Sequence, residues 1–223
     1  MAGEAIRIIS IEISLAAEPI FKIGGFTVTN SLMVSWVILG VLSAIGFKVK
    51  KSLATIPRGL QNVIEFIFEA LLSLMDGITG SREQSRRFFP VVATIFLFVI
   101  LVNWVEIVPG LGTIGFYEVI HGEKVLVPFV RSSAADLNFT LAIAIVSVVS
   151  TQIFGILALG FFKYAGKFFV SPLKKPYFIG TFVGLLELIS EMAKMISFSF
   201  RLFGNILAGE ILLTVMLFLM PYI

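Results

Sequence analysis

Residues 179–220 read IGTFVGLLELISEMAKMISFSFRLFGNILAGEILLTVMLFLM, a stretch with no proline and only scattered glycines. At about 1.5 Å per residue, one helix over this span would be about 63 Å long, against a bilayer hydrocarbon core of about 30 Å. The spacing therefore predicts a helix that either breaks or lies steeply tilted in a membrane. It also carries polar groups where an apolar span should carry none: Glu187, Glu191, Lys194, Arg201, Asn205 and Glu210. Each ionisable group at mid-membrane costs about 2.5–3.5 kcal/mol on insertion scales, so such groups usually face a polar cavity, a partner or an ion path.

Helical geometry sorts these groups. At about 100° per residue, Glu187, Lys194 and Asn205 fall within about 40° of Arg201, while Glu210 points to the opposite face. Gly204 and Ala208 have the small-xxx-small spacing that lets another helix approach closely beside Arg201. One reading is structural: Lys194 and Arg201 snorkel to an interface or pair with Glu187 and Glu191. The other is an ion path, in which an arginine that stays protonated acts as a fixed positive charge beside a passing carboxylate.

The rest of the chain suits a membrane. Of its 223 residues 58% are hydrophobic and 14% charged, where an ordinary soluble domain has roughly 25% charged; mean hydropathy is +1.03. The 23 phenylalanines suit lipid-facing and helix-packing surfaces that need no hydrogen-bond partner. With no cysteine and one histidine, disulfides, thiolate metal sites and multi-histidine sites are excluded, and no cofactor or metal is expected. The net charge of +3 does not point to nucleic acid, because the basic residues cluster in loops between apolar runs.

Those runs predict spans at 31–47, 88–109 and 137–162, besides the long segment 179–220. Between the first two, residues 57–79 place Gln61, Glu65, Glu69 and Asp76 near helical spacing opposite Leu60, Ile64, Ile67, Leu71 and Leu74. That pattern predicts an amphipathic helix lying on the membrane surface, capped by Thr55 with Pro57 in its first turn. Residues 1–30 form an N-terminal segment with no evident signal peptide, and residues 110–135 are mixed and turn-rich. Seven basic residues lie between 48 and 87 and four between 163 and 175, eleven on one side, against Arg7, Lys22, Lys124 and Arg131 on the other. The positive-inside rule therefore puts the N-terminus outside. The fold expected is all-α: a single polytopic transmembrane domain with a surface amphipathic helix and a long, steeply tilted C-terminal helix.

The run Ser197-Phe198-Ser199-Phe200-Arg201-Leu202-Phe203-Gly204-Asn205-Ile206-Leu207-Ala208-Gly209-Glu210 resembles the signature of the subunit a family of rotary F-type ATP synthases, the stator channel proteins. The order of elements is similar over nearly the whole chain, with the close match confined to about residues 187–213. Ala135-Asp136-Leu137-Asn138-Phe139-Thr140-Leu141 is similar to the family stretch that opens the span after the outer loop.

The resemblance implies a non-catalytic subunit that passes ions, foremost protons, through two offset half-channels to a rotor-ring carboxylate. Arg201 would be the arginine facing the ring, Asn205 its neighbour, Gly204 and Ala208 the ring-packing positions. Glu210 would line the outer path and Glu187 the inner one, with Asp136 and Asn138 polar groups near the outer entrance. An N-cap on the third span is an equally good reading of that pair. The implied partners are a ring of rotor subunit c, the peripheral-stalk subunit b and the lipid bilayer, with no nucleic acid, in the inner (plasma) membrane.

The chain departs from the family pattern at Ser133 and Ala134, where a proline and a hydroxyl residue are usual, and at Glu106, where glycine is common. Family members also run on through a final helix past Met220-Pro221-Tyr222-Ile223, so that helix is expected to be absent here. Two other function classes stay open on the residues alone: an independent secondary ion transporter and a structural membrane subunit. A transporter should show related halves with interrupted helices, and no internal repeat is visible. An enzyme would need a nucleophile, a metal cluster or a paired acid and base; His121 beside Gly122 supplies none of these, and no P-loop is present.

Overall fold

A computed structural model of the chain describes residues 19–108, 114–120, 123–168 and 179–219. Their order is β1 (Pro19–Ile23), β2 (Phe26–Thr29), α1 (Asn30–Lys51), α2 (Leu60–Thr79), α3 (Arg82–Ile107), β3 (Gly115–Ile120), β4 (Glu123–Pro128), α4 (Leu137–Leu159), α5 (Phe161–Ala165) and α6 (Ile179–Leu219). The architecture is all-α and polytopic. Four helices (α1, α3, α4 and α6) are long and apolar enough to cross a membrane.

Capping explains where the helices begin and end. Thr29 accepts from the Leu32 amide at 3.3 Å to start α1, which closes on Lys48, Lys50 and Lys51, cations suited to the negative end of a helix dipole. Helix α2 starts at Leu60 rather than Pro57, because Gly59 takes φ 58°, a backbone state that ends any helix running in from Thr55 and Pro57. Gly80, at φ 72°, closes α2 with its amide bonded to Asp76 O at 2.9 Å. Ser81 then caps α3 through the Gln84 amide.

The α2–α3 corner is locked by Arg82, which reaches Glu69 at 2.6 Å and Asp76 at 2.8 Å, and by Phe89 packed edge-to-face on Phe68 at 5.2 Å. Helix α3 is 26 residues long and begins well before the apolar run. Pro90 lies inside it, as transmembrane helices tolerate. The third span ends at Leu159, earlier than its apolar run, since Gly160 turns the chain at φ 81° into the short α5.

The long segment does not break. Helix α6 runs 41 residues without interruption, about 60 Å at 1.5 Å per residue. Twice the thickness of a hydrocarbon core, it fits a bilayer only at a steep tilt or by standing well out of it.

Two antiparallel hairpins, β1–β2 and β3–β4, stand where sequence periodicity predicts no regular structure. Gly24 and Gly25, both at positive φ, make the first turn. Pro109, Gly110, Gly112, His121 and residues 1–18 and 220–223 lie outside the described residues.

The spans hold together mainly at one end, where α1 begins, α3 finishes and α4 starts. Val34, Ile38 and Val102 form the apolar core there, with Phe98, Val130 and Phe139 packed on it. At the other end α3 and α4 splay around an open groove of about 990 Å³, lined among others by Ile78, Val92, Phe96, Ile143 and Ser147. Most large apolar side chains of the spans face outward, as lipid- or partner-facing surfaces do.

Candidate functional site

Above the apolar core sits a knot of buried polar groups. Asn30, Ser31 and Ser35 at the start of α1, Arg131 to Ser133 ahead of α4, and Thr140 and Ser199 are all buried. Buried polar groups must find one another, and these do. Ser133 Oγ donates to Ser31 O, Ser35 Oγ lies 2.8 Å from Ser133 Oγ, and Ser132 Oγ donates to Asn103 Oδ1 at 3.0 Å. Ser31 Oγ donates to Asp136 Oδ2 at 3.0 Å. The residues that depart from the family pattern, Ser133 and Ala134, are themselves fully enclosed in this knot, so small size is what their places demand.

Asp136 is the N-cap of α4, its Oδ1 accepting from the Asn138 amide at 2.9 Å. The capping reading of that residue therefore holds in the geometry, with its second oxygen tying α4 to α1. The Asn138 side chain is exposed.

Helix α6 runs antiparallel to α4, and in the first turn of α4 Thr140 places its hydroxyl 3.1 Å from that of Ser199, midway along α6. The structure separates the polar groups of α6 into three places. Arg201, Asn205, Gly204 and Ala208 all lie on exposed surface. The Arg201 guanidinium stands 5.7 Å from the Phe198 ring, a contact worth about 0.5–1 kcal/mol at an exposed site. No carboxylate among the described residues pairs with it. A Cβ added at Gly204 would meet nothing within 4 Å, so that face is open.

Glu210 points away from this face and into the polar knot. Arg131 Nε lies 3.0 Å from its Oε1, and Nη2 donates to Oε2 at 3.1 Å. The arginine is 6% exposed and the glutamate 22%, so a charge pair with one charge-assisted hydrogen bond is held largely out of water. Glu187, near the other end of α6, pairs with Lys167 Nζ at 2.5 Å, and the same ammonium reaches Glu191 at 3.5 Å. Lys194 bonds Glu191 at 3.0 Å one turn along. The hydrogen bond that Lys167 donates to Glu187 is the main cause that holds its ammonium above the usual lysine range. Gly184 packs on the backbone carbonyl of Phe168, leaving no room for a side chain where α6 rests on the segment carrying Lys167.

The structure thus joins neither Glu187 nor Glu210 to Arg201. It brings each to a cation from a different element. Arg131 and Lys167 enter sequence reasoning only as counts in a loop-charge tally. The one signal pointing to Arg131 is its place five residues ahead of the Asp136 cap, in a segment otherwise small and polar.

Comparison with known proteins bears on the same residues. The ATP synthase A chain family matches residues 29–223. The chain is 30% identical to the ATP synthase subunit a of Moorella thermoacetica over 204 residues, which cover 92% of this chain and 80% of that one. It is 31% identical to ATP synthase subunit a of Helicobacter pylori strain P12 over 97% of this chain and 81% of that one, and 34% identical to that of Campylobacter jejuni over 78% and 66%. The matched region takes in α1, the polar knot and the whole of α6, and the chain belongs to the ATP synthase A chain family.

Proposed function

We propose that this chain is the ion-translocating stator subunit of the membrane sector of a rotary ATP synthase, the ion being in the first place a proton. The observation that carries the reading is the division of α6. Arg201 stands on an uncovered face without an acidic partner among the described residues, while Glu187 and Glu210 are each engaged by a cation from elsewhere.

A fixed cation on an open helix face suits a partner that brings its own carboxylate. Gly204 offers no side chain and Ala208 only a methyl, so a helix of a subunit c ring can come close to Arg201. The guanidinium favours the ionised form of an arriving carboxylate and so discharges its proton. It also repels a cation passing straight between the two paths. Asn205, one turn on, sits beside the loading position.

In this mechanism Glu210, with Asp136 and Asn138 near by along the chain's loop-to-helix junction, serves the outer half-channel, and Glu187 serves the inner one. The ion enters one path, rides the ring and leaves by the other. A membrane potential supplies about 2.3 kcal/mol per charge per 100 mV to bias that rotation. The chain itself carries out no ATP chemistry; it acts beside subunit c and the peripheral-stalk subunit b in the plasma membrane, N-terminus outside, as the loop charges favour.

The test is coupled pumping by the assembled complex in vesicles. Arg201→Ala should abolish ATP-driven pumping and ATP synthesis with the complex intact. Arg201→Lys should also fail, because an ammonium lacks the delocalised, permanently charged fork. Normal coupling in Arg201→Ala would overturn this function.

A further inference from the structure

We infer that Arg131 is a positioning residue for ion transfer, acting through Glu210; the inference rests on the function proposed above. Three observations carry it. Arg131 is 6% exposed, so its charge sits where water does not compensate it. It donates one hydrogen bond, from Nη2 to Glu210 Oε2, and its Nε lies 3.0 Å from the other oxygen, so positive charge stands against both carboxylate oxygens and holds the group in place. The segment that presents Arg131 is itself pinned on either side of it: the Ser132 hydroxyl donates to Asn103, and the Phe129 amide to Ile114 O at 3.0 Å.

A carboxylate held largely out of water is costly without a cation beside it. Arg131 supplies that cation, keeps the Glu210 carboxylate in one place and aims it toward the knot, on the side of α6 away from Arg201. The two arginines thus have separate duties: Arg201 meets the ring, and Arg131 serves the relay group. Arg131 stands on the Glu210 side of α6, away from the face that carries Arg201, and Glu210 is the relay group it reaches.

That dependence is what the experiment reads. Coupled pumping is measured per assembled complex for the parent, Arg131→Gln, Glu210→Gln and the double variant, with Arg131→Lys alongside. Arg131→Gln should slow pumping about tenfold, the scale of one charge-assisted hydrogen bond lost. In the Glu210→Gln background the same change should cost less than about twofold, as two residues of one unit do not add. Arg131→Lys keeps the charge and should hold the rate within about threefold of the parent. If Arg131→Gln does not assemble, Arg131→His, which offers Glu210 a shorter and weaker donor, makes the same comparison in both backgrounds. An equal fold loss with and without Glu210, or no loss at all, would overturn the inference. Either result leaves the wider function standing as long as Arg201→Ala abolishes coupling, so the two failures are told apart.

Discussion

The two ends of α6 hold their carboxylates in opposite ways. Glu210 is met by a guanidinium that is 6% exposed, through one hydrogen bond and a second close nitrogen, inside a knot of hydroxyls. Glu187 is met by an ammonium that is 42% exposed, on a flexible stem, at the surface. The chemistry of the anion is the same, and its surroundings decide what the pair is worth. A surface pair contributes little because water and salt compete for both charges. A buried pair is costly to make and more costly to break, because removing one partner strands the other. The Glu210 pair is therefore the costly one to disturb, and the Glu187 pair the one whose geometry can adjust at little cost.

The largest break of that contrast is to remove the cations in turn. Arg131→Met should destabilise the isolated chain in detergent by about 2–3 kcal/mol, the low end for a broken buried pair since Glu210 keeps some exposure. Lys167→Met should cost about 0.5 kcal/mol. Equal losses in a denaturant titration would mean that burial does not distinguish the two ends.

A smaller effect tests whether the hydroxyl knot supports the Glu210 end. Ser133→Ala removes one of the two hydroxyl donors to Ser31 O and the oxygen that Ser35 Oγ reaches, and should cost about 1 kcal/mol with little change of shape. The loss should appear as faster hydrogen exchange at the start of α1 and leave the Glu187 end unchanged; faster exchange around Lys167 instead would contradict it.

The smallest effect is on pH. Lys167 is held above the ordinary lysine value of 10.5 chiefly by Glu187. A raised lysine stabilises the fold fully below its unfolded value and loses that contribution as pH rises through the folded one. Melting temperature should therefore show no Lys167-dependent change between about pH 7 and 9, then fall slightly more in the parent than in Lys167→Met above about pH 10.5. A Lys167-dependent change already at neutral pH would require another origin for it.

Much of the fold is legible in residue pattern because lipid imposes a simple rule: long apolar runs become helices that satisfy their own backbone. Phe88 to Ile107 or Leu137 to Leu159 has no other option. Helix α2 is legible from its stripe, though its start is not, since a glycine's φ at position 59 is invisible to periodicity. The β1–β2 hairpin carries a usable signal in Gly24-Gly25 between alternating residues, overshadowed by the apolar runs beside it. Arg201 and its small neighbours are legible because they share one helix. Arg131 is not: its partner is 79 residues away, and a single arginine in a loop looks the same in sequence whether it is solvated or enclosed. Lys167 is hidden for the same reason.

The contact between Thr140 and Ser199 has a mechanical meaning. Ser199 lies twelve residues after Glu187 and eleven before Glu210, about 18 Å and 16 Å along the axis. That hydroxyl contact sits between the two ion pairs, so α6 is tied to other elements at three heights: Glu187 to Lys167, Ser199 to Thr140 and Glu210 to Arg131. A stiff helix tied at three heights shifts as a unit, and whatever draws Glu210 off Arg131 is opposed at the other two ties as well.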